Sequence, residues 1–164
     1  MKRLLFLITP LLIFTLLFSA CSPTEKDNYE NTLAYFQIDF IKSDFEMTES
    51  KSDKADYVRA YKVSVTEKER KKLIEHFKSF ENGEFVKIPN AQNNFDILCD
   101  TLIEDFGSYK AVSEGYFALY NTISHKLQTK LNFDTLANFD FDFYRALIFD
   151  VDTNTLYIYD YSAT

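Results

Sequence analysis

The chain has 164 residues, 18 Lys and Arg against 25 Asp and Glu, and a formal charge of −7. That length suits one domain, and the acidic balance disfavours nucleic acid and anionic lipid while favouring basic partners. Two Cys and three Gly leave no room for a disulfide framework or for glycine-rich loops that cradle phosphates.

The first segment has three parts in a fixed order. Lys2 and Arg3 give a positive start, Leu4 to Leu17 are apolar apart from Pro10 and Thr15, and the small residues Ser19 and Ala20 follow. This is the pattern of a secretory signal peptide. The apolar stretch falls short of the roughly 17–25 residues a spanning helix needs, and Pro10 interrupts it. The run Leu17-Phe18-Ser19-Ala20-Cys21 resembles the lipobox of bacterial lipoproteins, with Phe18 where Leu is commonest. The resemblance implies diacylglyceryl transfer to the Cys21 thiol and cleavage after Ala20. Cys21 is then the lipidated first residue, and anchoring by two or three acyl chains is effectively permanent. Ser22, rather than Asp, favours the periplasmic face of the outer membrane where the host has one.

Three parts are therefore expected: a cleaved signal peptide over 1–20, a lipidated tether over 21–32, and one globular α+β domain over 33–164. Removing residues 1–20, with Lys2 and Arg3, leaves 144 residues with 16 basic against 25 acidic, a charge near −9. Such a chain buries about two-thirds of its unfolded surface, so it folds without disulfide or metal.

Ser22 to Asn31 is polar and reads as the tether. Residues 33–41 alternate, with Phe36, Ile38 and Phe40 on one side, which predicts a strand. Residues 43–56 are charge-rich and read as a loop; 57–65 resume alternation through Tyr57, Tyr61, Val63 and Val65. Thr66 and Glu69 form a capping box opening a helix to about Phe80, with Leu73, Ile74, Phe77 and Phe80 as its buried stripe. Glu84 to Ile88 is a short strand before Pro89. Phe95, Leu98, Cys99, Leu102 and Phe106 give a second helix closed by Gly107. Over 109–130, Val112, Tyr116, Leu119, Tyr120, Ile123 and Leu127 fit one helical face, although Tyr116 to Asn121 could be a strand after a turn at Gly115; helix is favoured. The chain ends in a β-hairpin about Asp152-Thr153-Asn154. A three-residue loop with Asn154 in the left-handed region spares Thr153 a positive φ, pairing Val151 with Thr155, Phe149 with Tyr157, Leu147 with Tyr159 and Arg145 with Tyr161.

The expected fold is α+β: an antiparallel sheet with a C-terminal β-hairpin and two or three helices packed on one face. Its core is expected from Phe36, Ile38, Phe40, Tyr61, Val63, Leu73, Phe77, Leu98, Leu102, Leu119, Leu147, Phe149 and Tyr157.

Five features carry potential chemistry. Tyr157, Tyr159 and Tyr161 could form an aromatic platform, but pairing with Leu147 and Phe149 assigns them to the core. Asp150-x-Asp152-x-Asn154 begins like a calcium loop, yet Thr155 and Tyr161 stand where Gly and Glu are required; a turn bonded by its own side chains fits better. Asp134, Asp140 and Asp142 are acidic, with the last two alternating with Phe139, Phe141 and Phe143, as in a strand or turn whose acids face water. His76 and His125 lack metal-ligand spacing, and Cys99 reads as an inert buried thiol. No catalytic, metal or cofactor site is therefore expected. The reading is a membrane-anchored envelope lipoprotein with a non-catalytic binding or adaptor domain and a protein partner. The alternatives are a protective inhibitor, of the immunity or phage-exclusion kind, and a hydrolase of envelope polymers.

Overall fold

The structure, a computed structural model, describes residues 24–50, 57–80, 85–88, 112–127 and 144–162. The chain divides into two compact units, residues 1–31 and residues 32–164. Among the described residues, no helix is long and apolar enough to cross a membrane.

The described elements are helices α1 (Glu25–Tyr35) and α2 (Glu67–Lys78) and strands β1 (Phe45–Ser50), β2 (Tyr57–Ser64), β3 (Phe85–Ile88), β4 (Gly115–Asn121), β5 (Lys126–Leu127), β6 (Tyr144–Asp150) and β7 (Thr155–Ser162). The strands form one seven-stranded sheet in the order β1-β2-β7-β6-β4-β3, with β5 also on β4. Every described pairing is antiparallel. The fold is α+β, with the hairpin β6–β7 at its centre.

Helix α1 occupies most of the residues read as a tether and the start of those read as a strand. Its signals are local. Thr24 caps the N-terminus: its hydroxyl accepts from Asp27 N at 3.1 Å, and the Asp27 carboxylate accepts from Thr24 N at 2.8 Å. The C-terminus closes as a complete Schellman motif. Ile38 N donates to Leu33 O, Gln37 N donates to Ala34 O, and Gln37 takes φ 58°. Leu33 and Ile38, the hydrophobic pair that accompanies this motif, are both buried. The alternation of Phe36, Ile38 and Phe40 thus comes from a helix end and the irregular segment after it. Phe36 and Ile38 are core residues without being in a strand, and Phe40 is only half-buried.

Helix α2 is where the sequence places it. Thr66 and Glu69 make the capping box, and Glu69, Leu73 and Phe77 form the buried i, i+4, i+8 stripe. Phe77 stacks on Phe85 at 4.6 Å and packs on Tyr116 and Phe149 at 5.0 and 6.0 Å between ring centroids. All three belong to one sheet face, and Tyr35 meets that same face through Tyr120 at 4.7 Å. The opposite face is buried too, through Ala60, Tyr159, Ala146, Ile148, Phe117 and Leu119.

Three further expectations need correction. The first is the loop at 43–56, whose residues 45–50 are edge strand β1, with Phe45 opposite Val63 and Met47 opposite Tyr61; its Glu, Thr and Ser content suits an edge with one apolar face. The second is the helix over 109–130, whose described residues 112–127 instead contain strands β4 and β5. Tyr116, Phe117, Ala118 and Leu119 are all buried because both sheet faces are covered there, so alternation is lost. The third is the hairpin register: Asp150 pairs with Thr155, Phe149 with Leu156, Ile148 with Tyr157, Leu147 with Ile158, Ala146 with Tyr159 and Arg145 with Asp160. The loop has four residues, not three, and every pairing slips by one. Asn154 does take the left-handed conformation, at φ 54°. The proposed helix at 95–106, with Leu98, Cys99 and Leu102, lies outside the described residues.

Candidate functional site

An open depression of about 620 Å³ lies between the segment 39–43 and the first turn of α2. Its floor is Glu69, which the capping box draws inward. Oε1 accepts from Lys42 N at 2.6 Å and Ser43 N at 3.1 Å. Oε2 accepts from Ser43 Oγ at 2.6 Å, Thr66 N at 2.8 Å and Thr66 Oγ1 at 2.7 Å. Burial by itself would raise this carboxyl; the five donors outweigh it and hold the carboxyl down at about 2. A carboxylate so acidic and so fully bonded is neither a general base nor a general acid near neutrality. It supplies instead the negative charge that a helix N-terminus favours, and it latches segment 39–43 to α2. The rim is different. Lys42, Lys68 and Lys72 border the depression, and the Lys72 ammonium stands 5.5 Å from the centroid of the Phe40 ring.

A second charged group crosses the sheet on the face that carries α2. Arg59, Asp160 and Arg145 are cross-strand neighbours on β2, β7 and β6. Arg145 Nε and Asp160 Oδ1 form an ion pair whose side chains are only 14% and 11% exposed. Burial pushes the Asp160 carboxyl up, against the opposing charges of Arg145 and Arg59. The Arg145 guanidinium also lies 5.9 Å from the centre of the Tyr35 ring and donates to Tyr144 O at 3.1 Å. The packing makes this row structural. The expected register hid it by setting Arg145 against Tyr161; with the pairing moved by one, opposite charges in two apolar strands face each other.

The residues singled out from the sequence are dispersed. Tyr157 and Tyr159 lie on the face opposite Leu147 and Phe149, beside Ile148 and Ala146. Tyr159 is fully buried and Tyr157 half-buried, so Tyr157 belongs to the margin, not the core; the Tyr161 side chain lies outside the described residues. Burial and then the Asp150 charge raise the Tyr157 phenol. Asp150 accepts from Asp152 N, Thr153 N and the Thr153 hydroxyl, so its oxygens bind the loop's own donors. His76 Nε2 lies 2.9 Å from Phe36 O; a carbonyl only accepts, so that nitrogen carries the proton and donates. The imidazole sits edge-on among Phe40, Phe77, Phe80 and Phe85. His125 is exposed at the β4–β5 turn with φ 54°.

Cys21, Cys99, Asp134, Asp140 and Asp142 lie outside the described residues. Among the described residues, no three His, Cys, Asp or Glu side chains cluster to hold a metal ion. The lysine rim went unnoticed in the sequence, although α2 carries Lys68, Arg70, Lys71, Lys72 and Lys78 in twelve residues of an acidic chain. Comparison with protein-family models, with curated proteins and with solved structures found no match for this chain.

Proposed function

We propose that the chain is a lipoprotein of the bacterial cell envelope, anchored through Cys21, whose domain works by binding rather than by catalysis. The observation that carries the reading is the ordered series of Lys2-Arg3, the apolar stretch 4–17 and Leu17-Phe18-Ser19-Ala20-Cys21. Lipid on Cys21 fixes the location: each buried methylene contributes about 0.8 kcal/mol, so two or more chains make release negligible. Ser22 directs the protein to the outer membrane in a host that has one.

The binding role is supported by how three buried acids among the described residues are used. Glu69 is held by five internal donors. Asp150 caps its own loop, and Asp160 faces Arg145. These acids serve the architecture, which favours a partner-binding surface over an acid–base centre.

Two forms of the full chain, wild type and Cys21→Ala, test the reading when expressed in a Gram-negative host. The wild type is expected in the membrane fraction, to incorporate labelled palmitate, and to crosslink to a single stoichiometric partner. Cys21→Ala is expected to lose the label and the membrane association. Label retained by Cys21→Ala removes the anchoring reading, and an absence of any crosslinked partner removes the binding one.

A further inference from the structure

The charge of this molecule is unevenly placed. Helix α2 has five Lys and Arg residues against three Glu in twelve positions, inside a chain that is acidic overall. Of its acids, Glu69 is buried and bonded internally, and Glu67 is 3.6 Å from Arg70. Leu73 and Phe77 turn the opposite side of the helix into the core. The outward side therefore presents Lys68, Lys71, Lys72 and Lys78, all exposed, with Glu75 among them. Across the depression, Lys42 and the half-buried Phe40 continue this surface, and Asp39, Asp44 and Glu69 are the acids beside them. The lysines extend over about 15 Å of helix at 1.5 Å per residue.

From this placement we propose that the exposed basic face of α2, together with Lys42, rests on the anionic headgroups of the bilayer that holds the Cys21 lipid. The inference builds on the lipid-anchor reading. Net charge does not forbid it. At physiological ionic strength the screening length is about 8 Å, so a flat anionic surface responds to the charges that face it, not to acids beyond that distance. Five lysines against Asp39, Asp44, Glu69 and Glu75, with Glu67 offset by Arg70, leave the facing surface with one net positive charge. An anchor also turns a weak contact into an intramolecular one, with a high effective concentration at the membrane. Ammonium groups suit phosphodiester headgroups as point charges, without the geometric demands of a pocket. The depression is open and needs no deep ligand.

The test uses the full-length product purified from bacterial membranes, with its N-terminal peptide checked by mass spectrometry for lipid on Cys21. The protein is placed in vesicles of phosphatidylcholine alone, or of phosphatidylcholine and phosphatidylglycerol in equal parts. Acetylation of each lysine by a water-soluble reagent is then followed. On the anionic vesicles Lys42, Lys68, Lys71 and Lys72 are expected to react several-fold more slowly, and added salt should restore them. Lys62, on the other sheet face, and Lys126, on β5, should not change. A Lys68→Glu, Lys72→Glu double variant with unaltered circular dichroism should lose the protection at Lys42 and Lys71. Lipid on Cys21 with equal reactivity on both vesicles overturns the docking alone. Absence of lipid on Cys21 overturns the anchor and the docking together. Protection that arises in native envelopes but in neither vesicle assigns the surface to a protein partner and also overturns the proposal.

Discussion

Glu69 shows how one side chain can organise two segments. The unfolded carboxyl titrates near 4.5 and the folded one at about 2. Its ionised form therefore stabilises the fold fully above the unfolded value, and that contribution disappears as pH falls toward 2. The difference corresponds to roughly 3 kcal/mol at neutral pH. Glu69→Gln keeps the volume but turns an amide donor toward backbone donors, which leaves Lys42 N or Thr66 N without an acceptor. It should cost about 2–3 kcal/mol and flatten stability between about pH 5 and pH 2, as measured by urea denaturation across that range. Gly115 makes a different demand. A Cβ there would run into the carbonyl oxygen of Phe149 and press on Val112 Cγ1 at 3.0 Å. Because the obstacle is backbone of the paired strand, it cannot swing aside. Gly115→Ala should lower stability by about 1–3 kcal/mol, read as a shift in the thermal midpoint.

Among the elements, the buried pair of β6 and β7 gives the sharpest consequence. Asp160→Asn would leave Arg145 charged and largely desolvated between a neutral amide and the Tyr35 ring, at a cost of about 3–5 kcal/mol. An exposed pair such as Lys62 with Glu46 should lose less than about 1 kcal/mol on Glu46→Gln. Chemical denaturation of the two variants distinguishes the two environments. The elements also differ in how far the sequence revealed them. Helix α2 was legible because its cap, its stripe and its start agree: Thr66, Glu69, Leu73 and Phe77 all point to one helix. Strand β4 was not, because Tyr116 to Leu119 is buried on both faces and a continuous apolar run fits helix and strand alike. Helix α1 was hidden by its ends. Asp27 stands in for the usual Glu of a capping box, and Gln37 takes the left-handed position that Gly usually marks. The hairpin and the left-handed Asn154 are legible in the sequence, but the register differs by one from the pairing that turn types suggest. Asp150 bonds the amides of residues 152 and 153, and so supports a fourth loop residue that counting turn types does not reveal.

At the scale of the molecule, the proposed location rests on a contiguous stretch of sequence, whereas the basic surface is assembled by folding. The proposed targeting signal is linear and compact, since every residue that would carry it lies within 1–21. The charge surface is not linear: Lys42 joins Lys68 and Lys72 only because Glu69 draws segment 39–43 onto α2. Composition alone points to an acidic protein that should avoid anionic surfaces, whereas among the described residues α2 presents a lysine-rich outer side. The anchor remains the claim on which the rest depends. The most direct measurement is the intact mass of the protein extracted from membranes, taken for the wild type and for Cys21→Ala. The account predicts a wild-type chain beginning at residue 21, heavier by a diacylglyceryl group with or without a further acyl chain, and a Cys21→Ala product without that addition. A wild-type chain with an unmodified Cys21 thiol, or one that retains residues 1–20, would contradict it.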